Sequence, residues 1–302
     1  MWRILFATLF AVLLSWTAEA KKQVWIDADP ACGEMLQTSD PDDCVAILMA
    51  IRSGSFEIAG ISTVGGNARL PDTWQVALRL VDGSHPIYRG SFSCKSRDVF
   101  AFAQAAERGG LTVLALGPLT NIARYLKCRP DLAEKIKQIV FVGSRRHDEE
   151  FVINDSWLTG FSLRDLNVEH DPQAVEDVLS TGVAIRYVPF AAGNAVHIAY
   201  GEFAGSHPNL PEWLMERIRD WGATQWLFLG ADGRVPFDEM AVALLLDENE
   251  QLFSCEPVQG QMVAGNLIVE LAQGASGNEE VCLPTDKEGV RKLILSAVAG
   301  GT

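Results

Sequence analysis

Short β-branched and apolar runs alternate with amphipathic segments along most of this 302-residue chain, and this alternation constrains the fold more than any other feature. Strands separated by helices favour a mostly parallel sheet, because parallel neighbours need a crossover connection that an α-helix supplies. We therefore expect a single α/β domain with a doubly wound, Rossmann-like sheet covered by helices. The predicted strands are 24–26, 58–64, a further one beginning at Ile87, 112–116, 138–142 and 184–189, and the predicted helices are 44–52, 73–81, 119–127, 172–180, 209–229 and 287–297.

The first twenty residues have the pattern of a secretory signal peptide. Arg3 precedes an apolar run over residues 4–14, and the small-residue sequence Ala18-Glu19-Ala20 follows. The apolar run has about 11 residues, fewer than the roughly 20 that a membrane-spanning helix needs, so a retained membrane anchor is the weaker interpretation. We expect an exported protein, periplasmic or secreted, with one domain over residues 21–302.

The charge of the chain restricts its partners. Its formal net charge is −14, and loss of the signal peptide removes one Arg and one Glu and leaves that value unchanged. Proteins that bind nucleic acids need clustered Lys and Arg, so we do not expect a nucleic-acid partner. The acidic balance favours a neutral or cationic ligand and a bound metal ion.

Six cysteines raise the question of disulfides. Export permits disulfide formation, and six cysteines allow 15 complete pairings that the sequence cannot rank. None of them lies in the Cys-x-x-Cys or Cys/His spacing that is typical of zinc sites. We expect mainly buried free thiols, with one or two bridges.

Five aspartates gather where the first predicted strand ends, separated by a nine-residue interruption at 31–39. Their mutual repulsion would be costly unless protons or a cation compensate it. Carboxylate oxygens without His or Cys favour a hard cation, either calcium or magnesium. The alternative is that they are helix caps and turn residues, for which Asp is common. The five are Asp27, Asp29, Asp40, Asp42 and Asp43.

Four further segments place compact polar groups at predicted strand ends. Together with the opening aspartates, their order resembles the inosine-uridine-preferring nucleoside hydrolase family over nearly all of residues 21–302. The resemblance implies hydrolysis of the N-glycosidic bond of ribonucleosides, in which a metal-activated water attacks the anomeric carbon and gives ribose and free base. The segments are Thr63-Val64-Gly65-Gly66-Asn67, Leu116-Gly117-Pro118-Leu119-Thr120-Asn121, Asp165-Leu166-Asn167 with Asp171-Pro172, and Pro236-Phe237-Asp238.

The resemblance also implies a calcium site. Asp29, Asp43 and Asp238 match metal ligands of the family, and Leu116 matches a ligand that contributes its backbone carbonyl. Asp29 further matches the general base that accepts a proton from the attacking water. A carboxylate in hydrogen-bond reach of a water near a cation is chemically suited to this role.

Other residues match groups that contact the substrate. Asp42 and Asn67 correspond to contacts with the ribose 2- and 3-hydroxyls, and Asp165 and Asn167 to groups around the 5-hydroxyl. Asp27 matches a residue that orients the metal ligands from behind. The family often forms dimers or tetramers, so the resemblance implies a homodimer or homotetramer.

The chain departs from the family pattern at three places. The interruption at 31–39 replaces a tight turn, Asp165 stands where Glu is common, and Phe237 stands where the family often has a His that assists the leaving base. Phenylalanine cannot donate a proton. The leaving base would then need another donor, for which His147 is a candidate, or stacking on an aromatic ring, for which Trp221 and Trp226 are candidates.

Two alternative functions fit parts of the sequence. Asp27 and Asp29 after a strand also resemble the nucleophile motif of haloacid-dehalogenase-like phosphatases, although the Gly117 to Asn121 and Phe237-Asp238 segments have no role in such an enzyme. A non-catalytic exported protein that binds ribose or a nucleoside would keep the aspartates and the sugar contacts. Phe237 and the interruption at 31–39 favour this second alternative.

Overall fold

The computed structural model describes most of the chain. The predicted signal peptide at 1–20, most of the interruption and His147 lie outside the described residues, as do the side chains of 224–229, which include that of Trp226. No helix within the described ranges combines the length and the apolar character that crossing a membrane requires. The described residues are 21–33, 40–146, 149, 164–207, 209–229, 233–272 and 277–301.

Nine strands in the described part of the chain form one mixed sheet. They are β1 (Lys22–Ala28), β2 (Phe56–Thr63), β3 (Ile87–Arg89), β4 (Leu111–Ala115), β5 (Ile136–Val142), β6 (Ile185–Val188), β7 (Phe253–Val263), β8 (Asn266–Leu271) and β9 (Glu279–Pro284). Their spatial order is β3-β2-β1-β4-β5-β6-β9-β7-β8. Every pair from β3 to β9 is parallel, and β7 is antiparallel to both of its neighbours. The predicted α/β class with a mostly parallel sheet is confirmed.

Helices connect the strands and cover both faces of the sheet. The α-helices in the described residues are α1 (Asp42–Arg52), α2 (Leu70–Val81), α3 (Arg97–Glu107), α4 (Thr120–Cys128), α5 (Leu166–Glu169), α6 (Pro172–Leu179), α7 (Phe190–Asn194), α8 (Tyr200–Ser206), α9 (Glu212–Leu229), α10 (Phe237–Leu246) and α11 (Lys287–Ala299). A 3₁₀ helix at Pro130–Lys135 precedes β5. One apolar core lies between the sheet and α1, α10 and α11, and a second lies between the sheet and α3, α4 and α6.

The strand order reverses between β1 and β4, and this reversal positions the site. The chain builds β1, β2 and β3 outward in one direction, and then returns to place β4 on the other side of β1. Ala28 pairs with Thr63 of β2, and Asp27 pairs with Ala115 of β4, so the three strands end at the same level. Loops diverge at such a switch point and leave a crevice at the carboxyl ends of the strands.

All six cysteines form disulfides, so the expectation of mainly free thiols is wrong. The bridges are Cys32–Cys44, Cys94–Cys128 and Cys255–Cys282. They join residues that are 12, 34 and 27 positions apart, and such different separations explain why spacing could not rank the pairings. Three disulfides are consistent with an oxidising compartment and hence with export.

The structure differs from the predicted elements mainly toward the C-terminus. The sequence pattern gave no strands after residue 189, yet β9 joins the sheet parallel to β6, and β7 and β8 extend it with antiparallel pairs. Alternating burial along β7 is weak because much of this strand is exposed, which removes the period-two signal. Helix α9 begins at Glu212, three residues after its predicted start at 209.

Candidate functional site

A cavity of about 700 Å³ opens at the carboxyl ends of the central strands. Its lining includes the acidic residues Asp42 and Asp238, the polar pair Asp165 and Asn167, and the aromatic residues Phe190, Trp221 and Phe237. Asp29 and Asp43 are buried beneath it. Residues from eight separate segments therefore converge on one crevice, as the aligned strand ends require.

Asp29 follows β1 directly and is held in a narrow space. Its Oδ2 accepts a hydrogen bond of 2.5 Å from the backbone N–H of Asn67, in the loop after β2. Gly66 and Gly117 stand so close to the Asp29 carboxylate that a side chain at either position would collide with it. The loops after β2 and β4 therefore use glycine to let backbone approach this carboxylate.

A chain of hydrogen bonds ties Asp29 to the start of α1. The backbone N–H of Asp29 donates to Oδ1 of Asp43 at 3.0 Å, and the N–H of Asp43 donates to Oδ1 of Asp42 at 3.0 Å. The N–H of Asp42 in turn donates to Oδ1 of Asp40 at 3.1 Å. Carboxylates at a helix N-terminus satisfy N–H groups that have no partner within the helix.

The carboxylates at the bottom of the cavity have the composition and spacing of a cation site. One carboxylate oxygen each from Asp42, Asp43 and Asp238 lies within 4.8 Å of the others, and all three residues are buried. Calcium ligands lie roughly 2.3–2.6 Å from the ion, so two of them stand at most about 5 Å apart. Oδ1 of Asp29 and Oδ2 of Asp43 are buried and accept no hydrogen bond from the described residues. Buried carboxylate oxygens without donors fit a hard cation.

Asp27 lies in β1, two residues before Asp29, inside a buried hydrogen-bond network. Its Oδ1 accepts bonds from the hydroxyl of Ser62 at 2.5 Å and from Nδ2 of Asn121 at 2.8 Å. The amide of Asn121 also donates to the carbonyl of Thr63 at 3.1 Å. Asp27 thereby connects the ends of β1 and β2 to the first turn of α4, and these contacts are consistent with an orienting role.

Asp165 and Asn167 line the cavity near the ends of β4 and β5. Nδ2 of Asn167 donates to the carbonyls of Leu116 at 2.7 Å and Val142 at 3.0 Å. A carbonyl has two lone pairs, so the Leu116 oxygen keeps one for a further partner. The Asp165 carboxylate accepts from the N–H groups of Ser144 and Val168 and caps α5, which gives it a structural role as well.

Aromatic rings form part of the cavity wall. Phe190 and Phe237 stack with ring centroids 5.1 Å apart and planes inclined by 29°, and Trp221 lines the same cavity. Gly193 on α7 makes room for the Phe237 ring, because a side chain there would collide with it. His170 is the histidine among the described lining residues, and it is exposed to solvent.

Burial dominates the electrostatics of these carboxylates. Removal from water raises the pKa of Asp29 to about 7. The hydrogen bond from the backbone N–H of Asn67 lowers this pKa, but by less than burial raises it. Burial likewise raises the pKa of Asp27 to about 7 and that of Asp165 to about 6, and it raises the pKa of Asp43 and Asp238 well above the ordinary value. The folded chain therefore favours protons or a cation at this site.

One buried cation already lies beside the aspartates. Arg234 is 1% exposed and forms an ion pair with Glu239, in the first turn of α10. Burial raises the pKa of Asp42, and the charge of Arg234 offsets part of that rise. Because Glu239 balances Arg234, the pair leaves most of the negative charge of the cluster uncompensated. Nothing in the sequence around Arg234 marks it as buried, so sequence reasoning missed it.

The raised pKa values predict how the stability of the metal-free protein depends on pH. An acid with a higher pKa in the folded than in the unfolded state makes the folded chain bind more protons between the two values, so stability falls as pH rises. For Asp27 and Asp29 this interval extends from about 4 to about 7. We expect the melting temperature in EDTA to fall by at least roughly 5 °C between pH 5.5 and pH 8. Calorimetry that finds a constant or rising melting temperature would contradict this.

Ser144 follows β5 in a strained backbone conformation. Its φ is 90°, in the left-handed region that favours glycine. Its hydroxyl is buried and has no hydrogen-bond partner in the described residues, whereas its N–H donates to Asp165 at 2.8 Å. Ser144→Gly keeps this N–H bond. It relieves the backbone strain and removes the buried hydroxyl that has no hydrogen-bond partner. We expect a net gain of about 1 kcal/mol, or roughly 2–4 °C in melting temperature.

The matched control for Ser144→Gly is Ser180→Gly. Ser180 has a φ of −67° and an exposed position at the end of α6, so glycine relieves no strain there and only increases the conformational entropy of the unfolded chain. The control should be slightly less stable than the parent protein. An equal loss of melting temperature in both variants would show that the backbone at position 144 is not strained.

The structure brings most of the predicted site residues together. Asp42, Asn67, Leu116, Asp165, Asn167, Trp221, Phe237 and Asp238 line the cavity, and Asp27, Asp29 and Asp43 lie beneath it. His147 and the Trp226 side chain fall outside the described parts. Sequence reasoning missed Phe190, although its place directly after a strand end was a usable signal.

Comparison with known proteins gives a consistent picture. A family model described as inosine-uridine preferring nucleoside hydrolase matches residues 24–292. Uridine nucleosidase 1 of Arabidopsis thaliana is 27% identical over 245 aligned positions, which cover 65% of this chain and 66% of that protein. Non-specific ribonucleoside hydrolase RihC of Salmonella agona is 22% identical, with 93% of this chain and 98% of that protein covered. The match to several relatives, the Arabidopsis protein among them, spans less than two thirds of the relative's length.

A solved structure extends the comparison to the fold. A purine-preferring ribonucleoside hydrolase from Gardnerella vaginalis superposes with a TM-score of 0.76 at 19% identity, covering 92% of this chain and 98% of that one. The likeness includes the mixed sheet and its helical layers. The match over residues 24–292 also leaves no support for the phosphatase alternative.

Proposed function

This chain belongs to the inosine-uridine preferring nucleoside hydrolase family, and we propose that it hydrolyses the N-glycosidic bond of ribonucleosides in a calcium-dependent reaction. The observation that carries the proposal is the buried group of Asp42, Asp43 and Asp238, whose carboxylate oxygens converge next to Asp29 at the bottom of a substrate-sized cavity. Structural aspartates at caps and turns do not usually converge with unpaired oxygens in a buried place.

Asp29, Asp43, Asp238 and the carbonyl of Leu116 are the groups that would hold the ion, with Asp42 beside them. A calcium ion there supplies positive charge that orients sugar hydroxyls and makes a nearby water more acidic. Magnesium is the alternative, although its strict octahedral geometry is harder to satisfy with a wide set of carboxylates. The surplus of carboxylates over buried cations supports a divalent ion in either case.

Asp29 is the group suited to act as general base. It stands at the end of β1 with Oδ1 unpaired, and its elevated pKa in the metal-free protein reflects an environment that makes it a strong proton acceptor once ionised. It would accept one proton from the attacking water, whose oxygen forms a bond to the anomeric carbon. The C1–N bond breaks, and its electron pair departs with the base.

The remaining groups stabilise and orient the sugar. Departure of the base leaves an electron-poor, oxocarbenium-like ribose, and the negative carboxylates around it stabilise that developing positive charge. Asp42 and Asn67 face the cavity beside the cation group and are suited to the 2- and 3-hydroxyls. Asp165 and Asn167 also line the cavity and are suited to the 5-hydroxyl.

The base would lie against the aromatic side of the cavity. Phe190, Phe237 and Trp221 offer ring faces there, and stacking can hold a heterocyclic base as it departs. Phe237 itself provides no proton. Substrates whose base leaves with little protonation should therefore be the better ones.

The proposal is tested by measuring ribose release from purine, pyrimidine and nicotinamide ribosides, with calcium and after chelation. We expect calcium-dependent release of ribose from at least one of them, and the panel also identifies the preferred base. Binding of calcium and nucleoside without any release would instead favour the non-catalytic binding protein, for which Phe237 is the specific observation. Calcium-independent release would contradict the assigned cation.

Export and assembly belong to the same proposal. The signal-peptide pattern at 1–20 and the three disulfides support a periplasmic or secreted enzyme. A homodimer or homotetramer follows from the family resemblance alone. Sedimentation of the purified protein tests that assembly directly.

A further inference from the structure

The Cys32–Cys44 disulfide lies between the two segments that carry the clustered aspartates. Cys32 follows Asp29 by three residues, and Cys44 directly follows Asp43. Both cysteines are fully buried, and their Cα atoms are 6.4 Å apart. Of the three disulfides in the chain, this one adjoins the candidate ligands on both of its sides.

The two segments need a constraint of this kind because the connection between them is long. A short turn fixes the distance between its ends, whereas a longer excursion leaves the ends free to separate, and only other contacts then hold them. One hydrogen bond from the Asp29 N–H to the Asp43 carboxylate links these segments at 3.0 Å. A single hydrogen bond can open and contributes only modestly to stability, whereas a covalent link cannot open.

We propose that Cys32–Cys44 is a positioning disulfide that takes the place of a tight turn and holds Asp29 and Asp43 at the spacing that binds calcium. The inference rests on the proposed calcium-dependent function. The cysteines do not touch substrate, and they act through the aspartates next to them. The high-affinity cation site is consequently complete only in the oxidised chain, which links activity to an oxidising compartment.

Helix packing is the competing explanation for how the aspartates keep their places. The residues of α1 from Asp42 to Ala50 are buried, and the helix packs against α10, which carries Asp238. If these contacts suffice, the disulfide contributes to overall stability and leaves the affinity for calcium unchanged. The two explanations therefore differ in a quantity that can be measured without substrate.

The test compares calcium affinity, measured by titration calorimetry, in two variants that each lose one disulfide. Cys32→Ala/Cys44→Ala should weaken calcium binding at least tenfold. The matched control is Cys94→Ala/Cys128→Ala, whose cysteines line no part of the cavity and adjoin none of the clustered aspartates. The control should bind calcium within twofold of the parent protein, even though its melting temperature falls.

A third variant, Cys32→Val/Cys44→Ala, restores apolar volume in the core and separates packing from covalent linkage. It should remain as weak in calcium binding as the double alanine variant. Parent-like affinity in either Cys32/Cys44 variant overturns the inference and leaves the proposed function standing. Failure of both to fold while the control folds also overturns it, since the disulfide is then required by the whole fold. Absence of calcium binding in the parent protein overturns both proposals.

Discussion

Replacing Asp29 by asparagine is expected to lower kcat for ribose release at least about 100-fold, because general-base assistance is typically worth 10²–10⁴-fold. Asparagine has the same shape, so it fits the narrow space beside Gly66 and Gly117. Its amide oxygen can still accept the bond from the N–H of Asn67. The fold should survive, which circular dichroism and the melting temperature in EDTA will check.

The same variant separates the two roles proposed for Asp29. Calcium affinity is measured in parallel with kcat, at calcium concentrations that saturate the variant. A large loss of kcat at saturation indicates loss of the base, whereas recovery of kcat at high calcium indicates that Asp29 serves mainly as a ligand.

Asp131→Asn is the matched control for Asp29→Asn. Asp131 is exposed in the 3₁₀ helix that precedes β5, and it pairs with Arg129. This helix lies at the amino end of β5, whereas the cavity lies at the carboxyl ends of the strands. Its replacement should leave kcat unchanged. A kcat within about threefold of the parent value in Asp29→Asn would exclude Asp29 as the base, since even the lower bound for general-base assistance is larger.

Replacing Asp238 by asparagine is expected to change stability in opposite directions with and without calcium. In the metal-free protein Asp238 is buried and is repelled by Asp42 and Asp43, and these effects raise its pKa. The neutral amide removes this repulsion, so the melting temperature in EDTA at pH 7.5 should equal or exceed that of the parent protein. An ion that binds only the folded state stabilises it, and the loss of a ligand removes that stabilisation.

The size of the calcium effect can be estimated. At a calcium concentration of about 100 times Kd, binding stabilises the folded parent protein by about 2.7 kcal/mol. For a chain of this size that corresponds to roughly 5–10 °C in melting temperature. Asp238→Asn should show less than a third of this increase at the same calcium concentration.

The outcomes for Asp238 distinguish a metal ligand from a structural helix residue. Asp238 lies in the first turn of α10, where a carboxylate also stabilises the helix N-terminus. If that were its main role, asparagine would lower the melting temperature equally with calcium and with EDTA. An unchanged calcium response in the variant would remove Asp238 from the proposed site.

The position of the aspartate cluster could be predicted because it depends on local features. Asp27 and Asp29 follow an apolar run, Asp42 and Asp43 precede an apolar helix, and parallel strands bring such ends to one edge of a sheet. The same reasoning placed Asn67 and Leu116 at neighbouring strand ends. Each of these inferences uses periodicity and strand order, which the sequence carries within short windows.

Contacts between distant segments could not be predicted in this way. Arg234 has no helical or strand pattern that marks it as buried, yet the fold places it against Glu239 beneath the acidic group. The Phe190–Phe237 stack joins the ends of two segments that are about fifty positions apart. Its existence depends on how α7 and α10 pack, and a sequence pattern does not encode that packing.

Hydrophobic periodicity and ordered motifs are local properties of the chain, and they were enough to predict the α/β class, the acidic site at the strand ends and the family. Only folding brings together the partners of the three disulfides, the antiparallel pair of β7 and β8, and the glycines that enclose Asp29. These features arise between residues that become neighbours only when the sheet closes and the helices pack on it. Their energies depend on distances that no short stretch of sequence specifies.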